Sequence, residues 1–145
     1  MQGKRPSRAW LLTITKRKSR YCEIERLDNR KSQLVKEKTL KALEKYGEEK
    51  LLSITRDNGK KFALFNSAFE TELNVMCNVS HAYVSHERGT NEYTNGMVRV
   101  FYPKWTDFEK VTSEDIENMK SKLNRKPRKI LGYKKSLRSF IPKEN

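Results

Sequence analysis

The order of patterns along this sequence describes an α/β protein with mixed strand pairing. Three observations carry that reading. A β-branched, apolar run fills Ala9 to Thr15, apolar residues recur at helical steps from Leu34 to Tyr46, and shorter strand-like and helical stretches then alternate towards the end.

Met1 to Arg8 is basic, contains Gly3 and Pro6, and reads as an arm without structure of its own. Ala9 to Thr15 is long enough for one well-buried strand. Lys16-Arg17-Lys18-Ser19-Arg20 turns the chain, and Tyr21 to Leu27 alternates less strictly, as a strand nearer an edge would, so the two form a hairpin. Asp28-Asn29 supplies turn chemistry. Leu34, Val35, Leu40, Leu43 and Tyr46 then mark an amphipathic helix ending at Gly47.

Leu51, Leu52 and Ile54 make a short apolar strand that surfaces at Asp57, where Asn58-Gly59 breaks it. Phe62, Phe65, Phe69 and Leu73 continue at helical steps and read as core, and Val75 to Val79 is a further strand. A helix follows through Glu87 to Val100. Its Glu92, Asn95 and Arg99 share a polar face, while Tyr93, Met97 and Val100 form an apolar stripe expected to pack. Pro103 stops that helix. A last helix runs through Ile116, Met119 and Leu123, with Thr112 or Ser113 as its cap. From Asn124 to Asn145 the chain is basic, with Pro127 and Gly132, and is expected to be an arm.

With 145 residues, 35% hydrophobic and 34% charged, the chain suits a single domain with a modest core. Its net charge of +14 is concentrated at the ends. Residues 1–20 carry +7, residues 21–119 carry −2 and residues 120–145 carry +9. That distribution suits a polyanion, because terminal cations gain phosphate contacts and release counterions, although two solvated basic tails would have the same composition. Two cysteines, Cys22 and Cys77, make no disulfide framework, and together with His81 and His86 they match no zinc-finger spacing. No apolar run approaches the length needed to span a bilayer, so a cytoplasmic location and no membrane partner are expected.

Asp57 and Glu92 are the candidate metal-binding and catalytic carboxylates. The 34 residues between them, 58–91, leave room for a helix, a strand and a loop that return the chain. Such a pair can hold magnesium, which takes hard oxygen ligands and keeps exchangeable waters. Taken singly, Asp57-Asn58-Gly59 is also a hairpin-turn signal, and Glu92 could be an ordinary solvated helix residue.

Three stretches in order alter that balance: Asp57-Asn58-Gly59-Lys60-Lys61-Phe62, Glu87 to Gly96 (ERGTNEYTNG), and Asn124 to Tyr133 (NRKPRKILGY). Together they resemble the catalytic half of a bacterial insertion-sequence transposase of the IS30 family, over about Lys18 to Phe140. The resemblance implies a ribonuclease-H-like integrase core with an Asp-Asp-Glu triad that binds two divalent metals. Asp57 matches the second aspartate and Glu92 the glutamate.

The family's first aspartate precedes the region that Gly3 to Thr15 resembles. A chain truncated before it is expected to lack the central strand and one metal ligand. Mg2+ or Mn2+ would then bind weakly at Asp57 and Glu92, and the chain would be inactive alone. Ala82 and His86 also stand where the family pattern has Pro and Trp. The expected partner is DNA, at element ends and target, contacted by Lys60, Arg88, Asn91, Asn95, Arg99, Arg125, Lys126, Arg128 and Lys129. An upstream half of a split transposase and a second copy of the chain are further expected partners. The alternatives are a non-catalytic DNA-binding remnant and a basic RNA-binding protein.

Overall fold

The computed structural model describes residues 1, 8–44, 51, 53–56, 70–72, 74–80 and 85–136, with residues 85–88 described by backbone alone. The chain divides into two compact units, Met1–Arg26 with Thr90–Asn145, and Leu27–Gly89. In order, the elements are β1 (Trp10–Thr15), β2 (Cys22–Leu27), α1 (Ser32–Glu44), β3 (Ser53–Arg56), β4 (Met76–Val79), α2 (Ser85–Phe101), α3 (Ser113–Arg125), β5 (Pro127–Arg128), a 3-10 turn at Lys129–Leu131, and β6 (Lys134–Lys135). This mixed α/β content is what the sequence patterns predict.

In the first unit, β1 and β2 pair as the expected hairpin. The Lys16 N–H donates to Tyr21 O at 2.8 Å and closes a connection too short for a parallel crossover. Ala9 and Leu11 from β1, Cys22 and Ile24 from β2, Val98 from α2, Phe108 and Val111 from the connecting segment, and Ile116, Met119 and Leu123 from α3 form one buried cluster. The i, i+3, i+7 spacing of the last three puts them on a single face of α3. Thr112 caps α3 as predicted. Its hydroxyl accepts the Asp115 N–H at 3.1 Å, and an Asp115 carboxylate oxygen accepts the Thr112 N–H at 3.0 Å.

The C-terminal segment folds back instead of extending. β5 and β6 pair antiparallel, with Pro127 opposite Lys135 and Arg128 opposite Lys134. Of the stretch read as a basic arm, Asn124, Arg128 and Ser136 are buried.

In the second unit, α1 buries Val35, Thr39, Leu40, Ala42 and Leu43. The Thr39 hydroxyl is accommodated by donating to Val35 O at 2.7 Å. Asn29 fulfils its turn role, its Oδ1 accepting the Lys31 N–H at 2.9 Å. Strands β3 and β4 pair in parallel, with Ser53 opposite Met76 and Arg56 opposite Val79. The expectation of a buried strand before Asp57 is corrected here. Positions 53–56 of β3 alternate between exposed and half-buried, and among the described residues β4 is its one partner. Phe62, Phe65, Phe69, Leu73 and His81 lie outside the described residues, as does the side chain of His86.

Candidate functional site

Helix α2 carries Glu92, and its seating on β1 decides which way that carboxylate faces. Thr13 and Thr15 alternate onto one face of β1, so two hydroxyls, and not two apolar groups, meet the helix. The Thr13 hydroxyl donates to Asn95 Oδ1 at 2.9 Å and lies 3.5 Å from Asn91 Oδ1. The Thr15 hydroxyl donates to Thr94 Oγ1 at 3.1 Å, and the Thr94 hydroxyl in turn reaches Thr90 O at 3.0 Å. Arg20, in the hairpin loop, donates to the Thr90 hydroxyl.

This seam overturns the expected stripe at Tyr93 and Val100, while Met97 does pack against the buried cluster. Tyr93 is 65% exposed and Val100 77% exposed, whereas Thr94 and Val98 are buried. The helix packs through Thr90, Thr94 and Val98, flanked by Asn91 and Asn95, because the threonines of β1 need hydrogen-bonding partners. Helix α2 is thereby clamped to the half-buried end of β1, and Glu92 projects from the solvent side.

Arg99 also has a local task, with its guanidinium 3.2 Å from Pro103 O and 3.5 Å from Tyr102 O. Burial pulls its pKa below the usual arginine value. Arg88 lies within α2, its side chain outside the described set. Asp57 and Lys60 lie outside the described residues, and with them the shared site expected of Asp57 and Glu92. Among the described residues, no three His, Cys, Asp or Glu side chains are grouped so as to hold a metal ion.

The four C-terminal cations named above for DNA contact separate into two kinds. Arg125, Lys126 and Lys129 are exposed, while Arg128 is 5% exposed. The Arg128 guanidinium donates to Leu123 O at 3.0 Å and Ser136 Oγ at 3.4 Å, contacts the Met97 sulfur, and lies 6.0 Å from the Tyr93 ring centroid. It ties the β5–β6 hairpin to the ends of α2 and α3. Its charge is used inside the fold.

Sequence reasoning missed a polar cluster beneath β2. Lys120 reaches Glu23 at 3.2 Å and Glu117 at 2.5 Å, with Glu23 buried. Burial alone would lower the Lys120 pKa, but the hydrogen bonds and charges of Glu117 and Glu23 outweigh it and leave the pKa raised. Nearby, burial and then the Glu23 charge push the Cys22 thiol up to about 12 and the Tyr21 phenol up to about 12. The signal available in the sequence was the Glu117, Lys120, Asn124 spacing, which places all three on one side of α3.

No family model matches the chain. Among curated proteins, however, it is related over most of its length to insertion-sequence transposases. It is 31% identical to a probable transposase for the insertion-like sequence element IS1161 of Streptococcus salivarius, over 95% of this chain and 38% of that protein. Against the transposase for IS4351 of Bacteroides fragilis the identity is 37%, over 85% of this chain and 37% of the relative. The IS30 family suggested by the three motifs is represented by the transposase InsI for IS30A of Escherichia coli, 32% identical over 86% of this chain and 32% of that protein. The chain thus spans about a third of the length of these relatives. Among the described residues, no helix is long and apolar enough to cross a membrane.

Proposed function

We propose that this chain works in DNA transposition as part of an Asp-Asp-Glu transposase, on a ribonuclease-H-like integrase fold, with Asp57 and Glu92 as metal-binding carboxylates. The observation that carries this is Glu92 itself. It stands exposed on a helix held to β1 by hydrogen bonds at Thr94 and Asn95, within a chain resembling named transposases for 85–95% of its length. A carboxylate on so firmly seated a helix is suited to hold Mg2+ or Mn2+. When bound, the ion would supply Lewis acidity and an activated water or hydroxyl. Asn91 and Asn95 then serve to orient α2, while exposed Arg125, Lys126 and Lys129 follow the DNA backbone.

Two carboxylates alone hold a hard cation weakly. In the family pattern the first aspartate lies ahead of the stretch resembled here, so residues 1–145 by themselves are expected to transfer no strand. The test supplies element-end DNA and Mn2+ to the chain alone and to the chain joined to a segment carrying that aspartate. Strand transfer restricted to the joined protein, and lost in Asp57→Ala and Glu92→Gln, supports the reading. Transfer indifferent to both substitutions would refute it. A DNA-binding role without catalysis is the second reading, favoured by the exposed cations at positions 125, 126 and 129.

A further inference from the structure

The tip of the β5–β6 hairpin puts two large apolar side chains into solvent on a rigid, basic support. Ile130 is 68% exposed and Tyr133 is 70% exposed, although a hairpin tip ordinarily carries polar residues. The tip is firmly built. The Gly132 N–H donates to Lys129 O at 3.0 Å, the Tyr133 N–H donates to Arg128 O at 2.9 Å, and buried Arg128 locks the base to Leu123 and Ser136.

Tyr133 has a φ of 62°, a left-handed conformation in which glycine is free and a tyrosine costs about 1 kcal/mol. Local folding thus gains nothing from an aromatic residue there. Around it, Lys129, Lys134 and Lys135 are exposed, and no Asp or Glu occurs from residue 118 to residue 143. A partner needs an anionic frame with flat apolar faces. Single-stranded nucleic acid has both, since every unpaired base offers a stacking face beside a phosphate, whereas a base-paired duplex hides those faces.

We infer that the Ile130–Tyr133 hairpin tip is a stacking site for an unpaired DNA base, with Lys129, Lys134 and Lys135 on the adjoining phosphates. The inference rests on the proposed DNA role and gives it a substrate form, namely DNA opened or frayed at the point of contact.

The test measures binding of the full 145-residue chain to a fluorescent duplex and to the same duplex with a six-nucleotide single-stranded overhang. Wild-type protein is expected to prefer the overhang. Tyr133→Ala should cut overhang affinity by about tenfold and leave duplex affinity within twofold, while Tyr133→Phe retains the preference. Lys134→Gln with Lys135→Gln should weaken both substrates together and flatten their salt dependence.

Circular dichroism of each variant identifies any loss due to misfolding. Tyr133→Gly, which suits the left-handed backbone, then serves as the folded variant that must lose the preference. Equal binding of both DNAs by wild type, or a preference unchanged in Tyr133→Ala, overturns the stacking site and leaves the transposition reading standing. Failure to bind either DNA overturns both.

Discussion

Asn124 binds the backbone of Cys22 on both sides: its Nδ2 donates to Cys22 O and its Oδ1 accepts the Cys22 N–H, each at 2.9 Å. The last turn of α3 thereby acts as a surrogate strand for the first residue of β2. Both residues are buried, so no water can replace a lost partner.

Asn124→Ala is accordingly expected to destabilise the protein by about 3 kcal/mol, since two buried backbone groups at roughly 1–3 kcal/mol each lose their partners. Asn124→Asp should be comparably damaging, because it keeps the acceptor, loses the donor and adds a charge. Urea denaturation followed by circular dichroism measures both. A loss under 1 kcal/mol in Asn124→Ala would mean that the bidentate contact is not maintained in solution.

The element pattern was largely legible in the sequence because it depends on local spacing. The apolar run at Ala9 to Thr15, the Thr112 cap and the Ile116, Met119, Leu123 face each rest on near neighbours. What could not be read depends on pairs far apart in the chain. Tyr93, Met97 and Val100 form as good a stripe as Thr94 and Val98 until Thr13 and Thr15 arrive from 80 or so residues away and select the hydroxyl-bearing side. Likewise, Arg128 looks like its neighbours Arg125 and Lys129 in a basic run. Its hydrogen bonds to the carbonyl of Leu123 and the hydroxyl of Ser136 set it apart. The candidate site divides the same way. Glu92 is named as a candidate by its motif and the structure shows it exposed, while Asn91 and Asn95, named for DNA contact, are hydrogen-bonded to β1.

The Glu23–Lys120 pair leads to a double-mutant prediction. Lys120→Met leaves a buried carboxylate without its cation and should cost roughly 3–5 kcal/mol. Glu23→Leu in the same chain should recover much of that, since a well-packed apolar pair avoids the desolvation of both ions. Thermal or urea unfolding of the two singles and the double gives the coupling energy. Strict additivity would show that the two side chains act independently.

Stability should also decline in alkali from a defined starting point. A thiol that ionises near 9 in the unfolded chain but at about 12 in the folded one makes the folded state the tighter proton binder between those values, so stability falls as pH rises through that window. Tyr21, raised from 10 to about 12, adds a second loss beginning one pH unit higher, and the raised Lys120 acts in the same direction. Urea midpoints should therefore fall from about pH 9 upward. In Cys22→Ala the decline should begin nearer pH 10. An identical profile in that variant would remove Cys22 as the titrating group.

The division of the C-terminal cations makes the last prediction. Exposed Arg125, Lys126 and Lys129 can meet phosphates without disturbing the fold, whereas Arg128 cannot leave Leu123 O and Ser136 without unseating the β5–β6 hairpin. Duplex affinity measured across a salt series should fall log-linearly. Each of Arg125→Gln, Lys126→Gln and Lys129→Gln should reduce the slope by about one unit with little change in unfolding midpoint. Arg128→Gln should instead lower stability by roughly 2 kcal/mol, the cost of stranding buried partners of a charged donor. Truncation provides the complementary comparison. A chain ending after Ser136 keeps both Asn124 and Arg128 with their partners and should unfold cooperatively, while one ending after Leu123 removes both and should not. If the shorter chain folds as well as the longer and loses only DNA affinity, residues 124–136 form a separable arm after all, and the structural role given to Arg128 is wrong.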